Sequence, residues 1–282
     1  TDSRLRQLVS EKTTPKNRYE EEISGYRDAL NIIHESFDFI PVSPNYILQL
    51  HGILFRHVEN NNFGGTFKNS QNYIQGINAQ GEPFVVFTPL APFETAPAIE
   101  NLCDTFNKAL EEGIVDPLIL IPVFIHDFLC IHPFRDGNGR MSRLLTTLLL
   151  YRSGYYVGKY VSLEAKIARI KDLYYDALGE SQNGWHEGKD DPTPFIKYLL
   201  SIVDMAYKDF EERLELVQKK VNANDLVAMA FEKKIGKIRK SDIVELCPSL
   251  SVSAVEKGIA RLLQDGRIEK YGKGKNTFYV RK

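Results

Sequence analysis

Two apolar segments, 118–131 and 141–152, follow each other with only the short stretch HPFRDGNGR between them. Neither reaches the ~20 apolar residues that a membrane span needs, and the first carries His126 and Asp127. Pro133 disfavours helical geometry in the residue before it, so the first helix is expected to end near Ile131. The second helix is expected to start within 137–140. The sequence therefore predicts two buried helices joined by a loop that carries charged and glycine residues.

The rest of the chain predicts a mainly α fold with a second, smaller domain. Apolar residues at steps of three and four predict further helices within 1–40, 47–58, 98–110, 161–180 and 193–219. Two β-prone runs, 72–77 and 84–87, surround the turn Asn78–Gly81 and predict a β-hairpin. Three short helical patterns and two strands close the chain in the order of a winged helix. We therefore expect a helical domain over 1–220 and a winged-helix (α+β) domain over 221–282.

Composition excludes several classes of protein. Lys and Arg number 36 and Asp and Glu 37, so the formal net charge is −1 and indicates no nucleic-acid or membrane partner for the whole chain. The 43% hydrophobic content, with 16 Phe and 14 Tyr, supplies a packed core and excludes global disorder. The three cysteines, Cys103, Cys130 and Cys247, form no disulfide framework. This usage predicts a reducing, cytoplasmic compartment.

The loop between the two apolar helices has the composition of an anion site. A helix N-terminus carries unpaired backbone N–H groups and a partial positive charge. Gly137 and Gly139 would let a phosphate approach the backbone without a Cβ in the way. Arg140 and Arg143 are three residues apart, so they share a helix face and could hold one polyphosphate.

Two further side chains of the loop suit a reaction at a phosphate. Asp136 offers the hard carboxylate oxygen that Mg²⁺ prefers. His132 has an ordinary pKa near 6.5 and could act as a general base at neutral pH. A base, a metal ligand and an anion site this close together predict attack on a nucleotide phosphate by an outside hydroxyl. The GxxxxGK[ST] pattern of a Walker loop is absent from the sequence.

With every fixed position of HPFx[D/E]GNGRxxR present at His132–Arg143, the sequence resembles the Fic family of nucleotidyltransferases. The resemblance implies that His132 deprotonates a Ser, Thr or Tyr hydroxyl of a target protein, or of the chain itself. That oxygen then attacks the α-phosphorus of ATP, so that AMP is transferred. The resemblance also implies that Asp136 binds Mg²⁺. It implies that the α- and β-phosphates are bound by the backbone of Gly137, Asn138 and Gly139 and by the Asn138 amide. Arg140 would contact the β-phosphate, and Arg143 the γ-phosphate.

The resemblance extends over roughly residues 15–220. It implies that the hairpin is a flap on which the target docks by strand addition, near Asn72, Tyr73, Ile74 and Gln75. Tyr174 and Gln182 are expected at the adenine end. An inhibitory motif of the family, [S/T]xxxE[G/N], is absent from residues 1–282, because Ser241–Glu245 is followed by Leu246. We expect it just upstream of Thr1.

Plainer interpretations stand beside these. His126 is expected to be a satisfied core histidine, and Trp185 to pack a loop. Tyr174 and Tyr175 could be core residues, and the hairpin a capped edge. The site could also transfer or remove another nucleotide or phosphate group.

The C-terminal region offers an alternative function. Residues 235–282 hold eleven Lys or Arg and five acidic residues. Lys270, Lys273 and Lys275 could form a basic wing, so DNA binding by a regulator with a nucleotide-sensing helical domain is an alternative. A protein contact or a homo-oligomer interface would use the same module.

Overall fold

A computed structural model provides the structure of the protein. It describes residues 2–10, 13–78, 80–218, 223–234 and 236–281. The chain divides into two compact units, 1–206 and 207–282. The sequence-predicted boundary at 220 lies outside the described residues, whereas the division between the units falls inside a long helix.

The first unit is built from nine helices and one hairpin in the part of the chain that the structure describes. The helices are α1 (Asp2–Val9), α2 (Arg18–Ser36), α3 (Pro44–Leu54), α4 (Pro92–Glu112), α5 (Pro117–Ile131), α6 (Asn138–Arg152), α7 (Leu163–Arg169), α8 (Lys171–Ser181) and α9 (Thr193–Gln218). The hairpin consists of β1 (Ile74–Ile77) and β2 (Pro83–Phe87), which pair antiparallel.

Helices α5 and α6 lie at the centre of this unit. Asp116 caps α5 by accepting a hydrogen bond from the Leu118 N–H at 2.8 Å, and Pro117 occupies the first turn, where no N–H donor is needed. Phe128 on α5 and Leu144 on α6 are fully buried. A helix that is apolar all round must be enclosed by others, as predicted. None of the helices that the structure describes is long and apolar enough to span a bilayer.

Helix α4 begins earlier than the sequence pattern predicts. The prolines at 92 and 97 suggest an extended segment before a helix that starts at 98, but the structure starts the helix at Pro92. Pro92 lies in the first turn, where its fixed φ suits a helix. Pro97 removes a single backbone hydrogen bond, to the carbonyl of the exposed residue Phe93, which water can reach.

The hairpin is present as predicted but starts two residues late. Asn72 and Tyr73 precede β1, because the Asn72 side chain is bonded to the loop after α5 instead of extending the strand. Ile77, Phe84 and Val85 are exposed on the hairpin. In the predicted turn, Ala79 lies outside the described residues.

The second unit contains three helices and a hairpin in the predicted order. They are α10 (Ala223–Lys233), α11 (Lys240–Leu246), α12 (Val252–Gln264), β3 (Ile268–Tyr271) and β4 (Phe278–Arg281). Ile238 forms a bridge with Tyr279, which adds a short third segment to the hairpin. The second unit has its own small hydrophobic core, which includes Val227, Val255 and Ile259. The element order is that of a winged helix, which stays a prediction. The side chain of Lys275 lies outside the described residues.

One glycine permits the close approach of α2 and α3. A Cβ built on Gly25 would overlap the backbone carbonyl of Leu54 at the end of α3, and a backbone atom cannot rotate away. We expect Gly25→Ala to lower the free energy of unfolding by about 1–3 kcal/mol, because the two helices must separate. Urea unfolding followed by circular dichroism measures this change.

Gly179 on α8 is the matched control, because no atom lies within 4 Å of the position that a Cβ would take there. Gly179→Ala should be neutral or stabilising by roughly 0.5–1 kcal/mol, since alanine favours the helix. Equal stability of the two variants would contradict the assigned role of Gly25.

Candidate functional site

The loop between α5 and α6 has an unusual backbone at both of its ends. His132 ends α5 in the left-handed region with φ 51°, a conformation that costs a non-glycine residue about 1–3 kcal/mol. Gly137 precedes α6 with φ 85°. A Cβ on Gly137 would lie 2.7 Å from the Phe55 ring. This glycine is therefore required by φ and by packing against Phe55, and the phosphate approach predicted for it stays a prediction.

Buried hydrogen bonds fasten the loop to the start of α6. The Phe134 N–H donates to Asn138 Oδ1 at 2.9 Å, and Asn138 Nδ2 donates to the Phe134 carbonyl at 2.7 Å. Phe134 is fully buried and anchors the loop in the core. Both polar atoms of the Asn138 amide are thus used inside the protein. One N–H of the amide and the backbone N–H of Asn138 remain, so the expected phosphate contact stays a prediction.

His51 on α3 contacts the same loop and holds it in place, a role that the sequence does not indicate. Its ring stacks on Phe134 with centroids 3.7 Å apart. His51 Nδ1 accepts from the Gly65 N–H at 2.9 Å, so Nε2 carries the proton and donates to the Asp136 carbonyl at 3.0 Å. Burial lowers the pKa of His51 to about 4, which keeps this single neutral tautomer at pH 7.

His132 is neutral and oriented. Its Nδ1 lies 3.2 Å from the Leu129 carbonyl, which can only accept, so Nδ1 carries the proton. The other ring nitrogen, Nε2, therefore carries the lone pair. Burial lowers the pKa of His132 to about 4, and the positive charge of Lys68 acts in the same direction. At neutral pH the ring is a base ready to accept a proton.

His132 opens on a cavity of about 320 Å³ at the N-terminus of α6. The cavity is lined by His132, Arg135, Asp136, Gly137, Asn138, Gly139, Arg140 and Arg143. The first backbone hydrogen bond of α6 runs from the Met141 N–H to the Gly137 carbonyl, so the N–H groups of 138, 139 and 140 have no acceptor within the helix. Three arginines and one aspartate make the cavity suited to a polyanion.

Two residues that line this cavity, Asp136 and Arg140, belong to a ring of ion pairs. Arg140 binds Glu22 at 2.8 Å and Asp136 at 3.2 Å. Arg18 binds Glu22 at 3.0 Å and Asp136 at 3.5 Å. The ring ties the first turns of α2 to the loop, and neither Arg18 nor Glu22 was predicted to belong to the site. A phosphate that binds Arg140 must compete with two carboxylates.

Arg140 and Arg143 also line a larger cavity, of about 790 Å³. Its wall includes Ile23, Tyr26 and Tyr174, so it is more apolar and aromatic than the first cavity. Tyr26 donates to Glu164 at 2.6 Å and also hydrogen-bonds Arg143. Burial raises the pKa of Tyr174 to about 12, so its hydroxyl stays protonated. The structure therefore brings Tyr174 beside Arg143.

Gln182, the other residue predicted at the adenine end, lies elsewhere. It is buried, its side chain hydrogen-bonds the Cys130 thiol, and it lines neither of the two cavities. The expectation that it faces the same pocket as Tyr174 is corrected. The reason is its position as the C-terminal cap of α8, which turns the chain inward against α5.

Lys68 connects the base of the hairpin to the loop, and sequence patterns did not indicate it. Its Nζ donates to the Ile131 carbonyl at 3.1 Å and to Asn72 Oδ1 at 3.0 Å. Asn72 Nδ2 in turn donates to the Phe134 carbonyl at 3.0 Å. Burial lowers the pKa of Lys68 to about 8. Asn72 is thus tied to the site, whereas Tyr73 and Gln75 are exposed and Ile74 is partly exposed on the hairpin.

Comparison with known proteins agrees with this architecture. Residues 41–150 match the model of the Fic/DOC family. Protein adenylyltransferase Fic of Aedes aegypti is 30% identical over 182 residues, which cover 63% of this chain and 31% of that protein. A Fido domain-containing protein of Dictyostelium discoideum is 28% identical over 135 residues, which cover 46% of this chain and 90% of that protein. The chain thus spans about a third of the length of the mosquito relative.

Solved structures share the fold. A Fic domain containing signaling protein from Bacteroides thetaiotaomicron aligns with a TM-score of 0.59 at 23% identity, over 74% of this chain and 78% of that chain. A Fic family protein from Desulfovibrio desulfuricans aligns with the same score at 18% identity, over 100% of this chain and 81% of that chain. The segment matched by the family model contains α5, the whole motif from His132 to Arg143 and all but the last two residues of α6. Through residues 41–150, this chain matches the Fic/DOC family.

Proposed function

We propose that this protein transfers AMP from ATP to a hydroxyl side chain of a target protein, and that it can modify itself. One observation carries the proposal: a neutral histidine and an arginine-rich helix N-terminus share a single cavity. Relatives that are named protein adenylyltransferases support the same reaction class.

The proposed reaction needs few groups. His132 Nε2 takes the proton of the incoming hydroxyl as its oxygen attacks the α-phosphorus, and pyrophosphate leaves. The N–H groups of 138–140 and the side chain of Arg143 stabilise the charge on the phosphates. The apolar and aromatic wall around Tyr174 is the nearest surface on which a base or ribose could pack.

Asp136 suits a magnesium ion as a single ligand. It is the only carboxylate that lines the smaller cavity, and two of its three partners are arginines that a phosphate would also attract. Mg²⁺ is usually held by one or two carboxylates together with substrate phosphates. When bound, the ion would neutralise charge between phosphate groups, and Asp136 would hold it.

The hairpin is the proposed docking place for the target. In the part of the chain that the structure describes, β1 pairs only with β2, so its other edge keeps unpaired backbone groups. Tyr73, just before β1, and Phe84 and Val86 on β2 are exposed apolar residues of the hairpin. An extended segment could add as a strand, and the bonds of Lys68 and Asn72 would hold that strand near His132.

Loss of the proposed base should abolish transfer. With labelled ATP and Mg²⁺, we expect the protein to label itself or proteins in a lysate, and His132→Ala to reduce the rate by about 10²–10⁴-fold. His34→Ala is the control, because His34 bonds Tyr151 away from both cavities. Labelling that survives in His132→Ala would contradict the assigned base.

Mass spectrometry of adducts formed in a mixture of nucleotides identifies the transferred group. An AMP adduct is expected, and an adduct of another nucleotide would assign the same site a different donor. If no nucleotide gave transfer but the chain bound DNA with steep salt dependence, the regulatory alternative would replace this proposal.

The rate should depend little on pH near neutrality. The folded pKa of His132 lies below its ordinary value, so the base stays deprotonated until the pH falls towards about 4. We expect kcat/KM for self-modification to be flat from pH 6 to 8 and to fall only in more acidic buffer. An acidic limb centred near pH 6.5 would show that burial does not perturb this histidine.

Release of Arg140 from its carboxylate partner should favour nucleotide binding. Glu22→Gln removes a charge that competes with phosphate for Arg140, so the Kd for ATP should fall by roughly 2–10-fold, the range for a partly exposed ion pair. Isothermal titration calorimetry measures this change. Glu21→Gln is the matched control, since Glu21 lies next along α2 and belongs to no ion pair of the ring. Weaker binding by Glu22→Gln would mean that the ring preorganises Arg140.

A further inference from the structure

A second cluster of polar side chains lies between α5 and the loop that precedes α9. His126 and Asp127 are neighbours on α5, and Asp190 comes from the loop before α9. One ligand atom from each of the three lies within 4.8 Å of the others, the only such group among the described residues. The cluster faces neither of the cavities described above.

His126 is not the satisfied core histidine that the sequence suggests. Its side chain is completely buried, yet Nδ1 makes no hydrogen bond. The nearest acceptors are Asp127 Oδ1 at 3.5 Å and Asp190 Oδ2 at 3.9 Å, both too far for a good hydrogen bond. A buried polar atom without a partner destabilises the fold unless something else satisfies it. Here that atom is directed towards two carboxylates.

The opposite edge of the ring lies against a cysteine. His126 Nε2 lies 3.6 Å from Cys130 Sγ. Gln182 also hydrogen-bonds this sulfur. When a metal ion takes the Nδ1 lone pair, the ring proton lies on Nε2, where this sulfur can accept it. A histidine that binds a metal is typically held through its other ring nitrogen in this way.

We propose that His126 Nδ1, Asp127 and Asp190 bind one divalent transition-metal ion of the zinc class. Nitrogen and oxygen ligands lie about 2.0–2.2 Å from Zn²⁺, which places ligand atoms of a tetrahedral site roughly 3.3–3.6 Å apart. The observed 3.5 and 3.9 Å separations require only small side-chain shifts. Imidazole disfavours Mg²⁺ and Ca²⁺, which select oxygen ligands. Water would complete the coordination, because both carboxylates are partly exposed.

The ion would join two parts of the first unit that meet at the hairpin. Trp185 Nε1 donates to Asp127 Oδ1 at 2.9 Å. The adjacent His186 donates to the Thr88 carbonyl at 2.8 Å and stacks on Phe87 at the end of β2. Binding at Asp127 and Asp190 would therefore fix the loop against which the end of β2 rests. The site is structural, and it does not depend on the proposed transfer reaction.

The single tryptophan of the chain provides the measurement. We expect Co²⁺, added to chelator-treated protein, to quench Trp185 fluorescence with saturation at one equivalent and to give a d–d absorption band. Zn²⁺ should displace Co²⁺, and millimolar Mg²⁺ should not. Asp190→Asn should weaken Co²⁺ binding by at least 10–100-fold, the loss typical even of residues that only support a metal ligand.

Glu187→Gln is the matched control, because Glu187 is an exposed acid of the same loop outside the cluster. It should bind Co²⁺ as tightly as the unmodified protein. In addition, Zn²⁺ should raise the Tm of the unmodified protein and not that of Asp190→Asn. Absence of saturable quenching, unchanged affinity in Asp190→Asn, or equal competition by Mg²⁺ would overturn the proposal.

Discussion

The reciprocal bonding between Phe134 and Asn138 is the constraint on which the site depends. These two residues lock the loop against the start of α6, and His51 holds the same loop through the Asp136 carbonyl. Because all three groups are buried, the loop cannot relax without exposing unpaired polar atoms. The lock therefore fixes where the N–H groups of α6 point. It also holds His132 in a backbone conformation that a histidine does not otherwise favour.

The two arginines beside this loop have partners within the protein. Arg140 is held between Glu22 and Asp136, while Arg143 lies beside the Tyr26 hydroxyl. The two arginines that a polyphosphate would bind are thus oriented before any ligand arrives. Part of the binding energy would then be used to displace carboxylates. Orientation of Arg140 would strengthen phosphate binding, whereas competition from carboxylates would weaken it. The Glu22 carboxylate on α2 contributes to both effects.

Helix α5 carries polar groups at two places although most of its residues are apolar. The C-terminal end of α5 places His132 at the cavity. Further back along the helix, His126 and Asp127 face the loop that contains Asp190. Periodicity in the sequence indicates only that α5 is buried. A buried helix can hold polar side chains when other elements supply partners, and those partners lie far along the chain.

The sequence by itself determined the local features of this protein. Apolar periodicity, Pro117 and the glycines of the loop fixed α5, α6 and their junction, because capping and backbone preference act over a few residues. Proline misled the prediction only for α4, where its position in the first turns is compatible with a helix. Tertiary structure alone decided the places of Lys68, His51, Glu22 and Asp190. These residues reach the site or the second cluster from distant parts of the chain, and only packing sets which distant side chains meet. The same packing turned Gln182 inward and left His126 Nδ1 without a hydrogen bond.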